Sequence, residues 1–91
     1  MCEYHICRLR ELRLRYGISQ AELALAAGVS RQLITQIELE EERQSCGNEA
    51  MLRRAFTAVI ASRRSQMAAL EQELADIPWL FSLTEEESEH G

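Results

Sequence analysis

An all-α fold is predicted by three observations on this 91-residue chain. Pro78 is its only proline and it has only four glycines, so long stretches carry no helix breaker. Runs of β-branched residues are scarce, and the apolar residues recur at helical rather than alternating spacing. Hydrophobic residues make up 46% of the chain, enough to fold, and the length suits one domain with a small core that gains from a partner.

Each helix follows from its own punctuation. Tyr4–Tyr16 reads as the first, with Ile6, Leu9 and Leu12 along one side, and Gly17 ends it as a C′ glycine. Ser19 with Glu22 three residues on forms a capping box, which starts a second helix over about Gln20–Ala27. Gly28 closes that helix. Ser30 caps a third over about Arg31–Leu39, whose apolar face is Leu33, Ile34 and Ile37. A polar connection, Glu40–Gly47, follows. From Asn48, an N-cap candidate, to Asp76 no proline or glycine occurs, which predicts a helix about 43 Å long, unusual in so small a protein. Pro78 stops it. Trp79, Leu80, Phe81 and Leu83 form an apolar patch before an acidic tail.

The organisation expected is therefore a reading region over 1–47, a long helix over 48–77 that completes the core and joins two copies, and a patch with tail over 78–91. Phe56, Ile60, Arg63, Met67, Leu70, Leu74 and Ile77 follow one another at spacings of four and three, a heptad seam. Phe56, Ile60, Met67, Leu70, Leu74, Ile77 and Trp79 are the expected homodimer contacts. Arg63 interrupts the seam and is expected to pair with a glutamate across the interface or to snorkel outward.

Charge is uneven. The net value is −5 and every basic residue is arginine, yet residues 1–39 balance to +1 and residues 40–91 to −6. Such asymmetry fits a first half that meets nucleic acid and a second half with another task. No stretch reaches the apolar length of a membrane span, and Met1–Arg15 lacks the apolar run of a secretory signal, so a cytoplasmic location and no membrane partner are expected. There Cys2, Cys7 and Cys46 stay reduced. Cys2, His5 and Cys7 are irregularly spaced with no fourth ligand nearby, so no metal site is expected. With no glycine-rich phosphate loop and no nucleophile setting, no cofactor, no catalytic residue and no enzyme activity are expected either.

The spacing from Gln20 to Ile37 carries the functional reading. Leu23 and Ala24 face inward, Ala24 small because the third helix crosses there. Gly28 takes the bend, and Val29, Ile34 and Ile37 close the core from the other side. With Leu12, Arg13, Tyr16, Gly17, Ser19 to Ala24, Gly28 to Arg31, Ile34, Ile37 and Glu38, the chain resembles the Cro and phage-repressor type of helix-turn-helix regulators, the XRE family. The resemblance covers about Leu9–Glu38 and implies double-stranded DNA as partner. It implies that Gln20 touches a phosphate and that Ser30, Arg31, Gln32, Thr35 and Gln36 form the exposed edge of a recognition helix. Arginine grips guanine O6 and N7, and glutamine pairs with adenine N6 and N7. Arg13 and Glu38 resemble a family pair joining helix one to the end of helix three, with Arg13 also near a phosphate. After Glu38, where the family has a basic loop, Glu40, Glu41 and Glu42 stand instead; Arg43 offsets them in part, and affinity should depend steeply on salt. The acidic half keeps a second reading open, a protein-interaction module or an antitoxin with weak or no DNA binding and a second protein as partner.

Overall fold

The computed structural model describes residues 7–83. Four α-helices follow in order: α1 (Arg8–Arg15), α2 (Gln20–Ala27), α3 (Arg31–Leu39) and α4 (Cys46–Asp76), with a single 3-10 turn over Glu41–Arg43 before α4. No strand occurs among the described residues, as the sequence predicts.

Two glycines shape the reading unit by the same device. Gly17 (φ +63°) lets its N–H reach the Leu14 carbonyl while the Ile18 N–H reaches that of Arg13. Gly28 (φ +73°) repeats this, with its N–H on Leu25 and the Val29 N–H on Ala24. Both are Schellman closures, in which a left-handed glycine satisfies the last carbonyls and turns the next residue, Ile18 or Val29, back onto the core. Ser19, Ser30 and Ser45 then each cap the following helix, accepting from the N–H three residues on at 2.9, 3.1 and 3.1 Å.

The core is Ile18, Leu23, Ala24, Ile34, Ile37, Leu52, Ala55 and Val59, with Leu9, Val29, Leu33, Met51 and Phe56 packed around it. Only the first half of α4 takes part. From Arg64 to Asp76 every residue is exposed, so the second half of α4 projects from the domain.

Two boundaries differ from expectation. Helix α1 begins at Arg8 rather than Tyr4. Cys7 is extended (ψ 157°), and its thiol lies 3.7 Å from the Glu38 carbonyl, so the chain leaves the helix where it meets the end of α3. Residues Tyr4 to Ile6, with Cys2 and His5, lie outside the described residues, as does the acidic tail from Thr84. Helix α4 begins at Cys46 because Ser45, not Asn48, is its N-cap, so the expected 47/48 boundary falls inside its first turn. Asn48 serves differently, donating from Nδ2 to the Arg43 carbonyl at 2.7 Å. At the far end Ile77 is extended ahead of Pro78, and α4 stops as predicted.

The capping box at Ser19 is only half made. Its hydroxyl holds the Glu22 N–H, but the Glu22 carboxylate turns to Arg63 at 2.7 Å. Arg63 therefore neither crosses an interface nor points to solvent. It also donates to the carbonyls of Tyr16 and Gly17, both at 2.9 Å, and so binds the end of α1 and the start of α2 to α4. A cation at a helix C-terminus is favourable, and three acceptors within one domain beat a partner's carboxylate. Because the Arg63 and Glu22 side chains are more than a third exposed, Arg63→Met is expected to cost about 1 kcal/mol. Urea unfolding checks this, and the loss should shrink at high salt.

Candidate nucleic-acid interface

The start of α2 and the polar edge of α3 share one face of the domain with Arg10 and Arg13 of α1. Arg10, Ser19, Gln20, Ala21, Arg31, Thr35 and Leu39 line a shallow depression whose floor is the Arg13–Glu38 pair. The floor is rigid. Arg13 donates from Nε and a terminal nitrogen to the two Glu38 oxygens at 2.6 and 3.1 Å, and from its other terminal nitrogen to the Ile18 carbonyl at 3.0 Å. The two side chains are 8% and 2% exposed. Every buried side-chain N or O among the described residues has a partner, so the ion pair is satisfied rather than stranded.

From this floor a hydrogen-bond chain rises to the surface. Gln20 donates from Nε2 to Glu38 at 3.1 Å, and its Oε1 accepts from the Thr35 hydroxyl at 3.1 Å. The Arg31 carbonyl one turn back lies 3.2 Å from the same hydroxyl and shares its one proton. Gln20 and Thr35 are thus half-buried, held in a fixed relation between α2 and α3. Beyond them Ser30, Arg31 and Gln32 are exposed at the N-terminal end of α3, and Gln36 is half-exposed one turn on.

Sequence-predicted residues separate accordingly. Gln20, Arg31 and Thr35 line the depression, and Ser30 and Gln32 sit beside Arg31 in the first turn of α3. Arg13 lies beneath the exposed edge, not on it. Its guanidinium is spent on Glu38 and Ile18, so it positions the site from beneath. Arg43 is tied to Glu40 at 2.9 Å and so offsets one of the three glutamates; Glu41 and Glu42 make no ion pair among the described residues.

One cation was missed. Arg10 is half-buried at the rim of the depression and makes no ion pair among the described residues. Its spacing of three from Arg13 places both on one side of α1, and that spacing is visible in the sequence.

Two short helices joined by a three-residue turn, with the second presenting a polar edge, define a helix-turn-helix protein. Residues 9–45 match a family model described as helix-turn-helix, and this segment is a helix-turn-helix of the Cro and phage-repressor type, a DNA-binding regulatory domain. All of α4 lies beyond the match. No curated protein and no solved structure matches the chain. No described helix is long and apolar enough to cross a membrane.

Proposed function

We propose that the protein is a sequence-specific transcriptional regulator that places α3 in the major groove and binds as a homodimer. The observation that carries this is the exposed first turn of α3, where Ser30 caps the helix and the Arg31 and Gln32 side chains make no hydrogen bond or ion pair among the described residues. Arg31 and Gln32 supply bidentate donors and acceptors suited to guanine and adenine, while Ser30, Thr35 and Gln36 contact neighbouring phosphates or bases. Gln20 and Arg10 lie where the backbone beside the groove would pass. Arg10, not Arg13, is the phosphate cation of α1.

One unit spans few base pairs, so two copies on half-sites about 34–36 Å apart supply the specificity. The exposed apolar stripe of α4 supports that pairing: Ile60, Met67, Leu70, Leu74, Ile77 and Trp79 all lie open in one copy, while Phe56 is half-buried on the core. Selection from a random DNA pool at low salt tests the reading and should return a two-fold symmetric site. Arg31→Ala or Gln32→Ala should weaken binding to that site roughly tenfold or more, at unchanged unfolding midpoint, since each bidentate pair is worth about 1–3 kcal/mol. Unchanged affinity in both variants would reject the assigned edge.

The exposed Glu41 and Glu42 beside this face favour a second reading, a protein-interaction module or antitoxin that keeps the fold without DNA affinity. No binding to any sequence at low salt, together with co-purification of a second small protein, would select it.

A further inference from the structure

A groove of about 970 Å³ runs between α1 and α4, lined largely by apolar groups, among them Leu9, Leu12, Phe56, Ile60 and Met67. Its lining continues into the exposed half of α4 through Arg64 and Glu71. Close by in sequence but not packed on it stand Trp79, Leu80 and Phe81, 63%, 65% and 79% exposed. The edge-to-face stack of Trp79 on Phe81, ring centres 5.4 Å apart, makes them one compact unit.

We infer that the α4 helices of two copies pair antiparallel, and that the Trp79–Phe81 turn of each copy fills the α1–α4 groove of the other. This deepens the dimer proposed above and rests on it. The direction follows from charge. With Ile60, Met67 and Leu74 at a positions and Phe56, Arg63, Leu70 and Ile77 at d, the flanking e positions are Arg64 and Glu71. Antiparallel helices bring e against e. Stacking Met67 on Leu70 of the second copy then sets Ile60 on its Ile77 and Arg64 beside its Glu71, twice by symmetry. A parallel pair would set e against g, where Val59 and Gln66 offer Arg64 and Glu71 no opposite charge. The neighbouring antiparallel staggers, with Ile60 on Leu70 or Met67 on Ile77, set Arg64 against Arg64 or Glu71 against Glu71.

Reach fits as well. The favoured register has its axis near residue 68, and Phe56 lies 12 residues from it, about 18 Å along the helix. On the other side α4 ends at Asp76, about 12 Å from the axis, and the non-helical residues 77–81 need cover only about 6 Å more along that direction to bring Phe81 opposite Phe56, at the mouth of the groove. Arg63 would meet Leu74 of the second copy in this register, but its guanidinium is already turned aside onto Glu22, Tyr16 and Gly17.

Light scattering of the full chain, with cysteine cross-linking and Trp79 fluorescence, tests this. In a background with Cys2, Cys7 and Cys46 changed to serine, Ile60→Cys in one copy should form a disulfide with Ile77→Cys in the other, and neither should cross-link to itself. Trp79 is the only tryptophan, so its emission should shift to the blue as the dimer forms on raising concentration. Arg64→Glu should raise the dimer dissociation constant about tenfold, and adding Glu71→Arg should restore it. Self-cross-links at 60 and at 77 would overturn the antiparallel direction while leaving the dimer. A dimer with unshifted Trp79 emission would overturn the groove assignment. A monomer at every concentration would overturn the dimer itself, and DNA selection would still decide the reading edge separately.

Discussion

Glu38→Ala is expected to destabilise the protein by about 3–5 kcal/mol, enough to leave much of it unfolded at 37 °C. The size follows from what Glu38 holds. Removing it leaves the Arg13 guanidinium, 8% exposed, with only the Ile18 carbonyl as partner. It also removes one of the two hydrogen bonds by which Gln20 ties α2 to α3, leaving only that from Thr35. Replacing both members of the pair, Arg13→Met with Glu38→Leu, should cost less than Glu38→Ala alone, because no buried charge is then left unmatched. Urea titration followed by circular dichroism gives both values. A loss under 1 kcal/mol for Glu38→Ala would show that Arg13 finds water, and that the floor of the interface is not the buried pair described.

The second large effect is expected at Leu23, which is fully buried where α2 meets both α3 and α4. Leu23→Ala should cost about 2–5 kcal/mol, from lost transfer energy and from the cavity left behind. The upper part of that range is expected, since the neighbours Ile34, Ile37 and Ala55 are themselves buried and belong to helices capped by Ser30 and Ser45. The exposed Leu25, on the same helix, is the control. Leu25→Ala should move the unfolding midpoint little. Equal losses at the two positions would contradict the orientation of α2.

Most of the fold was legible because its signals are local. Gly17 and Gly28 announce left-handed closures, Ser19 and Ser30 announce caps, and a single proline marks the end of α4. The inward set Leu23, Ala24, Ile34 and Ile37 followed from helical spacing alone. What escaped depended on long-range choices between equivalent partners. Arg63 occupies a seam position, and nothing in the spacing says that its target is the end of α1 47 residues earlier rather than a second chain. Glu22 looked like the second half of a capping box until Arg63 claimed its carboxylate. At the site, the pairing of Arg13 with Glu38 was readable, but not that it would engage all three guanidinium nitrogens of Arg13 and leave Arg10 as the cation of α1 at the rim of the depression. Ser45 and Asn48 are both good caps, and the hydrogen bond from Asn48 to the Arg43 carbonyl decides between them.

The central claim is that the exposed first turn of α3 reads base edges. Its most direct test compares wild type and Arg31→Ala on a panel of single-base-pair variants of the selected site. If Arg31 grips a base, the variant loses discrimination at one base pair in each half-site and keeps it elsewhere. A loss of affinity spread evenly over all sequences, or a discrimination pattern identical to wild type, would show that α3 does not read DNA through this edge.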